Sequence, residues 1–111
     1  MTFNRQMTLI VPLRPNVPGM SVTDYNGNLA LLELELIDDF GGFTAVDGRG
    51  AWRPAAVNGE VLYEPVRIFT LACAIGLTSD GIAALRHRVK VLLDQRAVYL
   101  AAYDLAEKPV Q

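Results

Sequence analysis

Two rhythms of apolar residues alternate along this chain, one with the period of a strand and one with the period of a helix. Residues 7–13 (MTLIVPL) form a short, partly β-branched apolar run closed by Arg14 and Pro15, which reads as a first strand. Pro12 lacks an amide donor and suits a strand end or an edge. Residues 14–19 (RPNVPG) hold two prolines and a glycine, so the chain makes a loop there. Leu29, Leu32, Leu36 and Phe40 then recur at helical spacing in a segment rich in Leu, Ala and Glu. Gly41 follows as a residue that tolerates the left-handed conformation closing a helix. The spacing predicts a helix over residues 23–40. Residues 32–36 also alternate apolar and acidic side chains as a strand would, and Asp38 and Asp39 sit where the helix dipole disfavours anions. Leu31 and Leu34 fall off the main stripe. They either widen the buried face or meet another subunit.

Beyond Gly41 and Gly42, residues 43–46 read as a short strand, 47–50 (DGRG) as a turn-rich stretch, and 51–53 as resumed extended chain. Asn58 and Gly59 form a hairpin-turn signal, because both accept positive φ. Residues 60–74 make a long β-rich run in which Pro65 predicts a bulge or an edge. The clearest helix spans residues 78–94, with Ser79 as N-cap and Asp80 in the first turn. Ile82, Leu85, Val89, Leu92 and Leu93 line one side of it, and Arg86, His87, Lys90 and Asp94 the other. Residues 97–103 read as the last strand. Residues 1–6 and 105–111 are expected to be loose ends.

The order strand, helix, strand, strand, helix, strand predicts an α+β, ferredoxin-like split β-α-β fold: an antiparallel sheet with two helices on one face. The other face then needs a cover. In residues 66–73 both alternating sets are apolar, Val66, Ile68 and Ala72 against Phe69, Leu71 and Cys73. Val98 and Leu100 oppose Tyr99 and Tyr103 in the same way. A solvated face carries more charge than this, so a symmetric partner subunit, most simply a homodimer mate, is expected to cover it.

Composition supports that expectation. The 111 residues suit a single domain. The chain is 51% apolar and 20% charged, somewhat richer in core formers than the usual 45–50% and about 25%. A net charge of −2 argues against a nucleic-acid partner. One cysteine excludes an internal disulfide and a Cys-rich zinc site. The apolar run at residues 7–13 is too short to span a membrane. A cytoplasmic protein without a membrane partner is expected.

The familiar catalytic devices are missing. No phosphate-loop pattern, G-x-S-x-G, H-E-x-x-H or C-x-x-C occurs. His87 stands among positive neighbours without a converging partner and reads as solvated. Cys73, inside an apolar strand, reads as a small buried hydrophobe. Glu33, Glu35, Asp38 and Asp39 form an acidic run, but neighbours on a helix diverge, and a solvated face is the simpler reading. No metal, no cofactor and no catalytic set are expected. The one suggestive group is Thr44, Trp52, Arg53, Tyr63 and Glu64 on the central hairpin, a candidate binding site because Trp and Arg are favoured interface anchors. Its plainer alternative has Trp52 packed on the sheet and Glu64 paired with Arg53 or capping turn amides.

Three short patterns stand out: Phe40-Gly41-Gly42-Phe43-Thr44, Gly50-Ala51-Trp52, and Gly59-Glu60-Val61-Leu62-Tyr63-Glu64-Pro65, followed near the end by Gln95-Arg96-Ala97-Val98. In these the chain resembles a family of uncharacterised small bacterial and phage α/β proteins, over most of its length after residue 28. The resemblance implies the fold and carries no activity with it. The first functional reading is therefore a non-catalytic protein-binding or assembly module, homo-oligomeric and of phage or mobile-element setting. One alternative is an inhibitor that docks on a host defence protein. The other is a small-molecule binder or enzyme with a pocket near Trp52 and Glu64.

Overall fold

Apolar side chains at two-residue spacing in the strands and at three-to-four-residue spacing in the helices are sorted onto a common layer between them. The computed structural model describes residues 3–53, 59–74 and 78–104. The elements are β1 (Phe3–Pro12), α1 (Val22–Phe40), β2 (Thr44–Trp52), β3 (Leu62–Ala74), α2 (Ser79–Leu92) and β4 (Tyr99–Asp104). The strands form one sheet in the order β2-β3-β1-β4, and each neighbouring pair is antiparallel. This is the split β-α-β, ferredoxin-like arrangement that the element order predicts.

Met7, Leu9 and Val11 of β1, Phe69, Leu71 and Cys73 of β3, and Leu100 of β4 face the helices. They meet Tyr25, Leu29, Leu32 and Leu36 of α1 and Val89, Leu92 and Leu93 at the end of α2. Each such side chain, fully buried, contributes about 1.5–3 kcal/mol. Phe43 adds an edge-on contact with Phe69, ring centroids 5.0 Å apart.

The helix ends obey capping chemistry. Ser21 is extended and accepts from the Asp24 amide at the start of α1. Gly41, at φ 83°, closes it by donating to the Ile37 carbonyl. At α2 the cap is Thr78, which accepts from the Gly81 amide, and Ser79 is already helical. This corrects the expected Ser79 cap: the extended residue is the one before it.

Further expectations change. β2 runs unbroken through Asp47, Gly48, Arg49 and Gly50, where a turn is the sequence reading. Its partner strand explains why: Asp47 faces Arg67 across the ladder, and the guanidinium grips both carboxylate oxygens at 2.7 and 3.1 Å. Gly50 marks a close approach rather than a turn, because a Cβ there would lie 3.3 Å from Val66 Cγ1. Of the bulge or edge expected at Pro65, the edge is found: it pairs with Arg49 in unbroken register, without a bulge, one residue beyond the last β1–β3 pair at Pro12 and Val66. The irregularity lies instead between Phe3 and Arg5 of β1, so residues 3–6 belong to the sheet and are not a loose end. β4 starts at Tyr99, two residues later than expected. Asn58 and residues 105–111 lie outside the described residues.

The early end of β1 has a structural consequence. In the sheet ladder residues 49–52 pair with 62–65 and with no other described strand, which makes them a two-stranded arm beyond the four-stranded sheet. Its base is held by the hydrogen bond from the Leu13 amide to the Pro65 carbonyl, and the adjacent end of β1 is held to α1 by the Tyr25 hydroxyl, which donates to the Pro12 carbonyl.

Candidate functional site

Strand alternation sends every second residue of the sheet away from the helices, and those residues line up in rows across the strands. Tyr99, Ile10, Ile68 and Val46 form one row. Ala101, Thr8, Thr70 and Thr44 form the next, and Tyr103, Gln6 and Ala72 a third. On the arm the same side carries Gly50, Trp52, Leu62 and Glu64. Val46 is 58% exposed and Trp52 53%, with Leu62, Tyr99 and Tyr103 also open to solvent. Among the described strand residues, Glu64 is the one charged side chain on this helix-free face. Glu64 forms no ion pair and no hydrogen bond within the described residues. The expected pairing with Arg53 does not form, and Trp52 is not packed into the sheet.

The five candidate binding residues are therefore not one cluster. Trp52 and Glu64 share the helix-free face of the arm on a diagonal, within reach of each other. Tyr63 points to the opposite side, where the Arg49 guanidinium stacks over its ring, 4.7 Å from the centroid. Arg53 is exposed just past the end of β2. Thr44 lies eight residues from Trp52 along a straight strand, roughly 26 Å away. It lines a separate shallow depression of about 360 Å³ with Phe40, Gly41, Gly42, Phe43, Thr70 and Ala72.

Two residues join the arm that sequence reading passes over. Arg49 is hidden in what reads as a turn. Tyr25 sits in the first turn of α1, fully buried, near enough to Glu64 to feel its charge. Burial, and secondarily the Glu64 carboxylate, push the Tyr25 phenol up to about 12. On the face itself the Tyr99 and Tyr103 hydroxyls lie 3.1 Å apart, and that hydrogen bond raises the Tyr103 phenol above its ordinary value.

Several other charged residues tie elements of the fold together. Arg67 ties Asp47 of β2 to Glu33 of α1 and holds the Asp47 carboxyl below its usual range. Arg88 pairs with Glu35 across the helices, and Arg86 donates to the Leu100 carbonyl. His87 is exposed. Cys73 is buried with its thiol pushed up by loss of solvent. Among the described residues no three His, Cys, Asp or Glu side chains converge as a metal site would require, and no helix is long and apolar enough to cross a membrane.

No protein-family pattern and no curated protein matches the sequence. Solved structures do share its architecture. A phage SAM lyase in complex with S-methyl-5'-thioadenosine matches with a TM-score of 0.60 at 15% identity, over 97% of this chain and 88% of that one. The divalent cation tolerance protein CutA1 from Thermus thermophilus matches with a TM-score of 0.61 at 16% identity, over 96% and 87%. CutA1 from Ehrlichia chaffeensis matches with 0.61 at 7%, over 98% and 88%. At these identities what is shared is the fold: one antiparallel four-stranded sheet with two helices on one face.

Proposed function

We propose that this chain works as a homo-oligomer built on its helix-free sheet face, and that Glu64 on that face binds a small cationic ligand of the S-adenosylmethionine type. The observation carrying both parts is the distribution of charge: a wide, open, largely apolar face with, among the described residues, one unpaired carboxylate. Rows such as Tyr99, Ile10, Ile68 and Val46 are costly to leave in water. A second copy is the simplest cover, because a symmetric contact needs only one self-complementary surface. The arm, two strands that pair with no third strand among the described residues, gains support from the same contact.

Covering the face also encloses Glu64. A lone carboxylate in a partly dry site calls for a cation. A sulfonium fits well: it carries positive charge without N–H donors, and both a carboxylate and an aromatic ring face attract it. Trp52 supplies such a ring on the same side of the arm. The likeness to a phage SAM lyase solved with S-methyl-5'-thioadenosine supports this ligand class. On such a ligand a lyase step needs no second substrate. The bond from sulfur to the amino-acid side chain breaks and its electron pair stays on sulfur, releasing S-methyl-5'-thioadenosine. The ligand's own carboxylate oxygen takes sulfur's place on that carbon. A cytoplasmic setting and a phage origin, both expected from the sequence, agree with this reading.

Light scattering and incubation with S-adenosylmethionine test the two parts separately. The wild type is expected to be oligomeric at micromolar concentration, and Val46→Glu to dissociate it. Calorimetry should show saturable binding of S-adenosylmethionine, and chromatography should show S-methyl-5'-thioadenosine accumulating. Both should be lost in Glu64→Gln at unchanged thermal stability. A monomeric wild type refutes the interface. An oligomer that neither binds nor converts the ligand refutes the site and leaves the non-catalytic assembly module expected from the sequence.

A further inference from the structure

β2 is an edge strand, and its outer side is open. Its nine residues pair with β3 on one side, and among the described residues no hydrogen bond reaches its main chain from the other. Edges are commonly blunted by proline, lysine or a bulge. β2 has none of these and keeps unbroken register with β3. The opposite edge, β4, has six residues, and its Leu100 carbonyl already accepts from Arg86.

β2 is complementary to itself in one register. A two-fold axis perpendicular to the sheet keeps each side chain on its own face. Each residue therefore meets its own copy or one an even number of positions away. With the axis at Gly48, the middle residue, all nine residues pair. Asp47 then stands opposite the partner's Arg49, and Arg49 opposite the partner's Asp47. Moving the axis one residue either way sets Asp47 against its copy or Arg49 against its copy, and leaves strand ends unpaired. Charge and length thus select the same register. Both charges are available for it. Arg49 lies over the Tyr63 ring and pairs with no carboxylate among the described residues. Asp47 accepts from Arg67 through two contacts, yet its side chain stays 53% exposed, and a carboxylate offers about four acceptor sites.

The other face of the pair fits as well. Val46 and Trp52 are the large exposed apolar side chains of β2. Val46 falls opposite the partner's Gly50, which has no side chain to obstruct it. Trp52 reaches the partner's Val46 on the diagonal. The arm gains a third strand, because residues 49–52 lie against the partner's residues 44–47, a part of β2 that belongs to the four-stranded sheet. We propose that a second copy of this chain adds to β2 edge to edge, with Gly48 on the two-fold axis, joining two four-stranded sheets into one. This contact is separate from the one through the helix-free face, although Val46 takes part in both.

Cysteine cross-linking under mild oxidation, read on non-reducing gels, tests the register. Directly opposed residues have Cα atoms about 4.5–5.5 Å apart, a span a disulfide bridges. Gly48→Cys should link to its own copy, and most of the protein should run at twice the chain mass. An added Cβ at Gly48 meets nothing closer than Ile68 Cδ1 at 3.8 Å, so the variant should fold. Ala45→Cys mixed with Ala51→Cys should link only in the mixture. These two positions lie on the helix side of the sheet, where a contact through the helix-free face cannot join them. Asp47→Cys mixed with Arg49→Cys replaces that pair if Ala45→Cys, beside the core, melts early. Val17→Cys, 97% exposed in a loop, gives the rate of chance collision, and native Cys73 is buried. Linking of Gly48→Cys no faster than Val17→Cys overturns the proposal. So does linking of Gly48→Cys without linking in the mixture, which would instead place Gly48 at the helix-free contact. An oligomeric wild type that fails both tests likewise overturns it and leaves the helix-free interface standing.

Discussion

Raising the pH through the tyrosine range should remove a defined part of this fold's stability, and Tyr25 should be the cause. The side chain is fully buried beneath the sheet end and donates to the Pro12 carbonyl, with its phenol pushed up to about 12 against an ordinary 10. The folded pKa is raised, so the contribution is fully present below pH 10 and is lost as pH rises toward 12. Two units correspond to about 2.7 kcal/mol in all, and about half of that, near 1.4 kcal/mol, is gone by pH 11. Tyr25→Phe isolates the effect. At neutral pH the variant leaves the Pro12 carbonyl without its donor and should be less stable by about 1–3 kcal/mol. Between pH 8 and pH 11 the gap to the wild type should narrow by about 1.4 kcal/mol, because only the wild type has the group to ionise. Urea unfolding followed by far-UV circular dichroism at the two pH values measures both gaps, and groups shared by the two proteins cancel in the difference. A gap that stays constant from pH 8 to pH 11 would refute the reasoning.

Leu36 is 1% exposed between α1 and the sheet, so Leu36→Ala should cost about 2–5 kcal/mol in urea unfolding, the range for a cavity at a core leucine. Gly41 sits at φ 83° with nothing within 4 Å of an added Cβ. Gly41→Ala should therefore cost about 1 kcal/mol from backbone conformation alone, read as a lowered melting temperature. Cys73 is buried with a raised thiol pKa. Its reaction with a colorimetric disulfide reagent at pH 8 should be slow in buffer and fast in denaturant.

The periodic elements are legible in the sequence because their patterns are local. Leu29, Leu32 and Leu36 mark α1, and Val89, Leu92 and Leu93 mark the end of α2, without reference to any distant residue. What escapes is set by partners far along the chain. Gly48 and Gly50 flank Arg49 as they would in a turn. They stand in a straight strand because Arg67, Val66 and Glu64 lie opposite them, a relation no local window contains. The same misreading hides Arg49 from the candidate site. If β2 turns at Gly48, Thr44 and Trp52 fold together; since it runs straight, they lie at opposite ends. The apolar second face is legible because alternation in β3 and β4 is again local.

The arm links the fold to the proposed site through Tyr25. A two-stranded ribbon is marginal on its own, so the direction in which Glu64 points depends on what holds the ribbon's base. That base is held by the Leu13–Pro65 hydrogen bond, next to the β1 end that the Tyr25 hydroxyl ties to α1. The coupling also has an electrostatic side, because the Glu64 carboxylate raises the Tyr25 phenol as the lesser of two causes. Such effects are reciprocal. A cation bound at Glu64 cancels part of the negative potential at Tyr25 and should bring the phenol down, as should Glu64→Gln. Burial, the larger cause, is untouched by either change. The Tyr25 phenol should therefore move part of the way toward its ordinary value and no further. A drop on adding S-adenosylmethionine that is absent in Glu64→Gln would report ligand at this carboxylate by a route independent of turnover.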